Sequence, residues 1–351
     1  MMHFLRPRFQ DLKPYHSTHI TTGVILNANE SPYTAPEALV EHMQKWMSTE
    51  MLSSRYPDTD SVKLAEAIAK AYDVKAHNVV CGVGSDELID CILSSTIEEG
   101  DKVLMPDPSF SMYAQFSVLN SADLIKVPLD ENFAYDIEGL IKAIKTVQPK
   151  VIFICNPNNP TGAILSTEAI REILKVSKGL VVVDEAYAEF NHCEETVIPL
   201  INTYNNLVVL KTFSKAYALA GARVGFAIAC EEIIELINTV RVPYNLNIFS
   251  QEAAKWVIEN RHLYQTNIEK IITARGVLEA GLKELGIKTY PSYANFIWCE
   301  LKEGIFETLQ AQAIYIRKMT INNQNYYRIT VGTSEENEIL LKALKVAGTG
   351  V

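Results

Sequence analysis

The chain has 351 residues, of which 48% are hydrophobic and 21% charged, a balance typical of a globular protein with one large and one smaller domain. Its formal net charge is −10 and its basic residues are not clustered, which disfavours a nucleic-acid partner. No stretch reaches the ~18 apolar residues of a membrane span, and no secretory signal begins the chain, so we expect a cytoplasmic protein. The six cysteines are scattered without a C-x-x-C pair, which predicts reduced core thiols and no metal site.

Predicted strands and helices alternate along the first two thirds of the chain. A short apolar run at 24–26 lies in an N-terminal arm. Helical spacing of apolar residues follows at 37–47, 62–72, 88–96 and 137–146. Apolar runs that read as strands are at 78–81, 102–105, 124–127, 151–155, 180–183, 207–210 and 224–230. This alternation predicts an α/β fold with a mostly parallel central sheet and helices on both faces.

The last third has a different pattern. Residues 250–285 are strongly helical, and we expect one long helix that links two domains. Strand-like runs at 294–298, 315–317 and 326–331 surround a helix-like segment at 304–313, which predicts a small α+β domain. We therefore divide the chain into an arm at 1–35 that packs with the small domain, a large domain at 36–246 and a small domain at 247–351.

The stretch after the predicted strand at 207–210 combines hydroxyls, a lysine and an arginine. Thr212, Ser214 and Arg223 can all donate hydrogen bonds to phosphate oxygens. Lys215 lies among them, and a lysine whose surroundings lower its pKa can capture an aldehyde as a Schiff base. A solvated lysine in an ordinary loop is the alternative interpretation. Taken together, the phosphate donors and the lysine indicate pyridoxal 5′-phosphate.

A glycine turn at 82–87 opens a predicted helix and would present free backbone N–H groups to an anion. The third glycine of the dinucleotide-binding motif is absent, and a tight strand-to-helix turn is the alternative. Phe110 follows another predicted strand, where it either packs in the core or stacks on a cofactor ring.

Two polar residues follow fully apolar strands. Asp184 comes directly after the strand at 180–183, where a carboxylate is expensive to bury unless it meets a cation or a donor. Asn156 begins the run Asn-Pro-Asn-Asn-Pro-Thr-Gly at 156–162, which its prolines and asparagines make rigid. Since ligands of open α/β sheets bind at the carboxyl ends of strands, we expect both side chains to face a ligand.

Three motifs in this order resemble the fold-type I pyridoxal-phosphate aminotransferases: the run at 156–162, Asp-Glu-Ala-Tyr at 184–187, and Ser214-Lys215 with Arg223 eight positions after the lysine. A finer resemblance, to the histidinol-phosphate aminotransferase family, spans nearly the whole chain. It is carried by Leu-Lys-Pro-Tyr at 12–15, Leu-Asn-Ala-Asn-Glu at 26–30, Arg-Tyr-Pro at 55–57, Gly-Ser-Asp-Glu at 84–87, Ala-Leu-Ala-Gly-x-Arg at 218–223 and Arg-Ile-Thr-Val-Gly at 328–332.

The resemblance implies a role for each matching residue around the cofactor ring. Lys215 would bind the cofactor and then move the proton between the substrate carbon and the cofactor. Asp184 would pair with the pyridine nitrogen, while Asn156 and Tyr187 would hold the phenolic oxygen. Phe110 stands where the family usually has a ring-stacking tyrosine, so stacking would be kept without the hydroxyl.

The resemblance also implies how the cofactor phosphate is held and how the subunits combine. The phosphate would be held by the backbone at Ser85 and Asp86 together with Thr212, Ser214 and Arg223. Tyr56 matches the tyrosine that reaches this phosphate from a partner subunit, which implies a homodimer with shared sites.

On the substrate side, the resemblance implies an anion site. Arg328 matches the arginine that aminotransferases use on a carboxylate and that this family turns to the substrate phosphate. Arg317 matches a second arginine of that site, Tyr15 a tyrosine that closes over it, and Asn29 lies in a matching motif. A bidentate arginine fits either anion, and a solvated surface role is the alternative for each arginine taken alone.

The expected activity is the interconversion of L-histidinol phosphate and 2-oxoglutarate with imidazole acetol phosphate and L-glutamate. An aromatic amino-acid aminotransferase and a threonine-phosphate decarboxylase on the same scaffold stay open as alternatives. A regulator that binds the cofactor without chemistry is disfavoured, because Lys215 and Asp184 are both present and only a short arm precedes the sheet.

Overall fold

The protein is described from a computed structural model, which defines residues 6–9, 20–192 and 196–348. Tyr15 and Cys193 lie outside these described residues. Helices of the described ranges are α1 (Glu37–Thr49), α2 (Val62–Tyr72), α3 (Gly84–Thr96), α4 (Ser111–Leu119), α5 (Ile137–Val147), α6 (Thr167–Val176), α7 (Glu231–Asn238), α8 (Ile248–Glu259), α9 (Gln265–Glu284), α10 (Ile305–Ala311) and α11 (Ser334–Gly348). Strands are β1 (Val24–Leu26), β2 (Val79–Val83), β3 (Lys102–Asp107), β4 (Asp123–Pro128), β5 (Val151–Cys155), β6 (Leu180–Asp184), β7 (Leu207–Thr212), β8 (Val224–Ala229), β9 (Thr289–Tyr290), β10 (Phe296–Cys299), β11 (Ile314–Ile321) and β12 (Gln324–Thr330).

The large sheet has seven strands in the order β2-β8-β7-β6-β5-β3-β4. The pairs from β7 to β4 are all parallel, whereas β8 runs antiparallel to both of its neighbours. Strands β5, β7 and β8 are buried along their whole length, as expected for strands covered by helices on both faces. The predicted α/β fold with a mostly parallel sheet is therefore confirmed.

The apolar residues of the large sheet divide between its two faces. One cluster of buried residues includes Ile152, Val183 and Val209, and the other includes Phe153, Val182 and Leu210. Neighbouring positions of one strand thus belong to opposite clusters, because side chains alternate across a strand. This alternation fixes which polar residues at the strand ends share a face.

The small sheet has five strands in the order β1-β11-β12-β10-β9. Strand β1, from the predicted arm, pairs in parallel with β11, and α9, α10 and α11 supply residues to the core beside this sheet. The boundaries that we placed at residues 35 and 246 stay predictions. Helices α4, α6, α7 and α11 were not predicted from the sequence.

The expected single helix at 250–285 is wrong. Two helices, α8 and α9, occupy this segment, with a 3-10 turn at Arg261–Tyr264 between them. The side chain of Asn260 donates to the carbonyl of Trp256 at 2.8 Å and so occupies an acceptor at the end of α8. The turn buries Tyr264, whose ring packs edge-on against Tyr217 at 5.6 Å.

The described cysteines are all free: Cys81, Cys91, Cys155 and Cys299 are buried, and Cys230 is half-buried. Among the described helices, none combines the length and the apolar composition needed to cross a bilayer.

Candidate active site

A cavity of about 330 Å³ lies at the carboxyl ends of β5, β6 and β7, beside the N terminus of α3. The strand register pairs Cys155 with Asp184 and Asp184 with Leu210. Paired positions share a face of the sheet, and Thr212 lies two residues beyond Leu210 on the same face. Cys155, Asp184 and Thr212 all line the cavity, so the strand alternation itself brings them together.

The structure does not bring Asn156 into the cavity, which corrects the sequence prediction. The backbone of Asn156 continues β5 by donating to the carbonyl of Asp184, and its side chain therefore points to the face opposite Cys155. Both ends of its amide are bonded to the backbone of Leu165, at 3.1 and 2.8 Å. Asn159, three residues later, lines the cavity instead.

Asp184 is a buried carboxylate at the end of β6. Its Oδ1 accepts from the backbone N–H of Ala186 at 3.0 Å, and its Oδ2 accepts from the hydroxyl of Tyr113 at 2.6 Å. Burial raises the pKa of Asp184 from 3.8 to about 6, and these two donors oppose the rise. None of the salt bridges among the described residues includes Asp184. A buried carboxylate of this kind is suited to pair with a cationic ligand.

Lys215 lies in the irregular segment between β7 and β8 and points into the cavity. Its Nζ donates to the backbone carbonyl of Ala28 at 3.1 Å and lies 5.9 Å from the centre of the Tyr187 ring. Burial, and then the positive charge of Arg328, lower the pKa of Lys215 to about 8. A much larger fraction of this amine is neutral near pH 7.5 than for an ordinary lysine, so it is poised to act as a nucleophile and as a proton carrier.

The N terminus of α3 forms one wall of the cavity. Gly84 has a φ of +72°, and a Cβ at this position would lie 2.7 Å from Nη2 of Arg223. Ser85 and Asp86 follow in the first turn, where backbone N–H groups have no partner within the helix. Arg223 Nη2 lies 3.5 Å from Asp86 Oδ2. The helix end and the arginine together form an anion-binding corner.

Thr212 and Ser214 line the same cavity as this corner. Their hydroxyl oxygens are 3.0 Å apart, and the Thr212 hydroxyl also accepts from the backbone N–H of Ser214 at 3.1 Å. The predicted phosphate donors Ser85, Asp86, Thr212, Ser214 and Arg223 are thus brought together around one cavity.

Tyr187 is buried at the cavity, with its hydroxyl between two amides. Asn29 Nδ2 donates to this oxygen at 3.1 Å and Asn159 Nδ2 at 3.3 Å. Asn29 has a φ of +55° and is fixed by Thr330, whose hydroxyl bonds both to its side chain and to its backbone N–H. The segment after β1 and strand β12 therefore both position the residues around Tyr187.

Arg317 and Arg328 are directly opposite each other on the antiparallel strands β11 and β12. Their side chains lie on the same face of the small sheet. Arg328 Nη1 donates to Asn159 Oδ1 at 2.6 Å, and Nη2 donates to the carbonyl of Asn27 at 2.8 Å. Its guanidinium lies 5.5 Å from the centre of the Phe296 ring. Two like charges held opposite each other favour an anion between or beside them.

Of the remaining predicted residues, Phe110 lines the cavity, as expected for a residue that stacks on a ring. Tyr56 does not line it in this chain: its side chain is 81% exposed and stacks on Tyr244 at 4.7 Å. Tyr15 lies outside the described residues.

Sequence reasoning missed Asn159, Tyr113 and the carbonyl of Ala28. The run at 156–162 contains three asparagines, and which of them faces the cavity depends on how the chain turns after β5, which the sequence does not show. Tyr113 gave no signal of its own, because its link to Asp184 spans 71 positions in the chain.

The chain is similar to known proteins over nearly its whole length. The family model for class I and II aminotransferases matches residues 21–344. A histidinol-phosphate aminotransferase of Ruminiclostridium cellulolyticum is 39% identical over an alignment of 348 residues that covers 97% of this chain and 97% of its own.

Two solved structures share the fold. The histidinol-phosphate aminotransferase of Sinorhizobium meliloti, solved with pyridoxal-5′-phosphate, has a TM-score of 0.91 at 22% identity and covers 99% of this chain and 98% of its own. The L-threonine-O-3-phosphate decarboxylase of Porphyromonas gingivalis has a TM-score of 0.81 at 23% identity and covers 92% of this chain and 98% of its own. The family match and the full-length relative together show that the chain belongs to the class I and II aminotransferases.

Proposed function

We propose that the protein is a pyridoxal-phosphate-dependent aminotransferase that converts L-histidinol phosphate and 2-oxoglutarate to imidazole acetol phosphate and L-glutamate. The observation that carries the proposal is one cavity lined by the amine of Lys215, the buried carboxylate of Asp184 and the N terminus of α3. The substrate is inferred from the full-length relative that is 39% identical and is named for this activity.

The residues of the cavity fit pyridoxal phosphate. Asp184 is buried and suited to a cationic partner, and a protonated pyridine nitrogen is such a partner. Gly84 leaves open the space beside Arg223 that a Cβ would fill, next to free backbone N–H groups that suit a phosphate. Lys215 has a lowered pKa, as a lysine that reacts with an aldehyde requires.

When bound, pyridoxal phosphate supplies an electron sink that stabilises negative charge on the substrate carbon. Asp184 would pair with the ring nitrogen and favour its protonated form, and Phe110, which lines the same cavity, would stack on the ring. Tyr187 and Asn159 would hold the phenolic oxygen; we propose Asn159 for this role instead of Asn156 because the Asn156 side chain bonds to Leu165. Lys215 lines the same cavity with an amine of lowered pKa, so its Nζ would hold the cofactor and would carry a proton to and from the substrate carbon.

The substrate phosphate binds at the arginine pair. Arg317 and Arg328 lie on one face of the small sheet, and Arg328 is joined through Asn159 to the cavity. Two guanidinium groups match a phosphate dianion, and the distance between the reacting amine and the phosphate then selects the substrate. Asn29 and Tyr15 belong to the same proposed substrate side.

An aromatic amino-acid aminotransferase and a threonine-phosphate decarboxylase are the competing activities, since each needs the same cofactor and an anion site. The fold does not separate them, because the solved decarboxylase shares it over nearly its whole length. A cofactor-binding regulator without chemistry does not require the lowered pKa of Lys215.

We further propose a cytoplasmic homodimer in which Tyr56 completes the site of the partner subunit. Several large apolar side chains close to Tyr56 in sequence or in space are exposed in the single chain, among them Leu52 at 69%, Val242 at 63% and Tyr244 at 47%. A solvent-exposed stack of Tyr56 on Tyr244 within such a surface is typical of a protein interface.

The proposal is tested by stopped-flow absorbance of the holoenzyme mixed separately with L-histidinol phosphate, L-phenylalanine and threonine phosphate. Rapid loss of the visible cofactor band with histidinol phosphate, reversed by 2-oxoglutarate, is the expected result. Conversion by phenylalanine alone would reassign the arginine pair to a carboxylate. Release of CO₂ from threonine phosphate would make the enzyme a decarboxylase, and turnover by Lys215→Ala would disprove the mechanism.

A further inference from the structure

We propose that Tyr113 is a positioning residue for the reaction: its hydroxyl holds the Asp184 carboxylate in the orientation and the ionised form that the pyridine nitrogen of the cofactor requires. The inference rests on the proposed function, because it assigns a supporting group to the carboxylate that faces the cofactor.

The Tyr113 ring is fixed on two sides. It is fully buried at the start of α4 and lies parallel to the Phe153 ring, with centroids 4.6 Å apart and planes 4° apart. The Phe110 ring meets it edge-on at 5.4 Å. A ring held by two aromatic neighbours keeps its hydroxyl in one place, so the contact with Asp184 is built into the core rather than made by a mobile side chain.

The two oxygens of Asp184 are held by different donors. The backbone N–H of Ala186, in the turn after β6, donates to Oδ1 at 3.0 Å. Tyr113 binds Oδ2 at 2.6 Å and is the side-chain donor to this carboxylate. A planar carboxylate with one donor on each oxygen has a fixed orientation, which sets the direction of its remaining lone pairs.

The hydrogen bond from Tyr113 also affects the ionisation of Asp184. Burial raises the pKa of Asp184 and so favours the neutral acid, whereas the Tyr113 hydroxyl binds the ionised carboxylate more strongly than the neutral acid and so lowers this pKa. The other charged groups that act on the carboxylate are Asp86, which raises the pKa, and Lys211, which lowers it. Tyr113 is the largest of the influences that keep Asp184 ionised.

This matters because a carboxylate and a pyridine nitrogen in contact share one proton. If the carboxylate is the stronger base, the proton moves to Asp184 and the ring nitrogen becomes neutral, which weakens the electron sink. A hydroxyl donating to the carboxylate makes it the weaker base and leaves the proton on the nitrogen. We therefore expect Tyr113 to affect the chemical step more than substrate binding.

The test is Tyr113→Phe, which keeps the ring between Phe153 and Phe110 and removes only the hydroxyl. Holoenzyme is reconstituted with cofactor labelled with ¹⁵N at the pyridine nitrogen, and its ¹⁵N chemical shift is measured by solid-state NMR. We expect the shift to move from the protonated value of the unsubstituted enzyme towards that of neutral pyridine. The kcat should fall about 10- to 100-fold, the range for a hydrogen bond to a charged group, with KM nearly unchanged.

Tyr135→Phe is the matched control. Tyr135 is also buried, and its hydroxyl donates to the backbone carbonyl of Cys155, beside Asp184 but not to it. This variant also loses a buried hydroxyl, so it should lose stability like Tyr113→Phe while its ¹⁵N shift stays that of the unsubstituted enzyme. Replacement of Tyr113 by 3-fluorotyrosine keeps the donor and makes it more acidic, and should keep the nitrogen protonated.

An unchanged ¹⁵N shift in Tyr113→Phe, or the same shift change in Tyr135→Phe, would overturn the inference and leave Tyr113 a packing residue. Failure of the unsubstituted protein to bind the labelled cofactor, or a neutral nitrogen in it, would instead contradict the proposed function. The two failures are therefore distinguishable.

Discussion

Arg328 and Asn159 are joined by a 2.6 Å hydrogen bond that connects strand β12 of the small sheet to the loop after β5. The other end of the Asn159 amide donates to the hydroxyl of Tyr187 at 3.3 Å. One amide therefore contacts both the arginine proposed for the substrate and the tyrosine proposed for the cofactor ring. Through this amide, the position of the small sheet can influence the cofactor ring.

This link predicts different outcomes for the two asparagines of the loop. Asn159→Ala should lower kcat/KM about 10- to 100-fold, because it removes one hydrogen bond to Arg328 and one to Tyr187. Asn156→Ala should leave the cofactor absorbance spectrum unchanged and lower the free energy of unfolding, since both ends of its amide bond to the backbone of Leu165. Steady-state kinetics and urea unfolding of both variants measure this. A spectral change in Asn156→Ala would restore the role that the sequence suggested.

If the arginine pair binds the substrate phosphate, replacing either guanidinium by an ammonium group should weaken substrate binding. Arg328→Lys keeps the positive charge but cannot form a bidentate pair of hydrogen bonds with a phosphate. KM for L-histidinol phosphate should therefore rise about 10- to 100-fold. Arg317→Lys should act in the same direction, because Arg317 is opposite Arg328. The cofactor spectrum should not change in either variant.

The neighbouring Lys318 offers a control for these substitutions. It is on the adjacent position of β11, so its side chain lies on the other face of the sheet, where it pairs with Glu307 at 3.4 Å. Lys318→Ala removes one positive charge close to the site but should leave KM within about twofold, because exposed ion pairs contribute little. An equal rise in KM for Lys318→Ala would mean that net charge, not the arginine pair, attracts the substrate.

The anion-binding corner, formed by the N terminus of α3 and Arg223, predicts that Gly84→Ala weakens cofactor binding. The added Cβ would lie 2.7 Å from Arg223 Nη2 and push the guanidinium from the phosphate, so the Kd of the cofactor should rise at least about tenfold. Gly100→Ala is matched in backbone strain, since Gly100 has a φ of +89°, but a Cβ there meets nothing within 4 Å. Both variants should lose about 1 to 2 kcal/mol of stability from the left-handed backbone, and only Gly84→Ala should lose cofactor affinity. Fluorescence titration with the cofactor separates them.

Most strands of the large sheet were predictable from the sequence because they are short apolar runs. Ligands of such sheets bind at the carboxyl ends of strands, where Asp184, Thr212 and Lys215 lie. Strand β9 of the small sheet, only two residues long, was not predicted. The end of β5 was predicted correctly, but side chains alternate along the strand, so the Asn156 side chain faces away from Cys155 and the cavity. Tyr113 could not be found, since its role depends on a contact between α4 and β6. Helix α11 was not predicted, although Leu340, Ala343 and Leu344 are buried on it at helical spacing.

The raised pKa of Asp184 predicts that this carboxylate destabilises the cofactor-free fold in a pH-dependent way, although cofactor binding requires it. Its pKa rises from 3.8 in the unfolded chain to about 6 in the cofactor-free fold. The ionised carboxylate therefore destabilises this fold at every pH above about 6, and the penalty disappears as the pH falls from about 6 to 4. Asp184→Asn should make the cofactor-free protein more stable by about 1 to 3 kcal/mol at pH 7 to 8, with little difference at pH 4.

Urea unfolding of the unsubstituted protein and of Asp184→Asn, both without cofactor, measures the difference in their free energies of unfolding across this pH range. The contributions of the other titrating groups cancel in this difference. With the cofactor present the order should reverse, because the ring nitrogen gives the carboxylate its cation and the asparagine cannot replace that pairing. If Asp184→Asn were less stable than the unsubstituted protein at pH 8 without cofactor, the carboxylate would already be fully satisfied by Tyr113 and Ala186. The destabilisation that we assign to its burial would then be absent, and cofactor binding would not have to offset it.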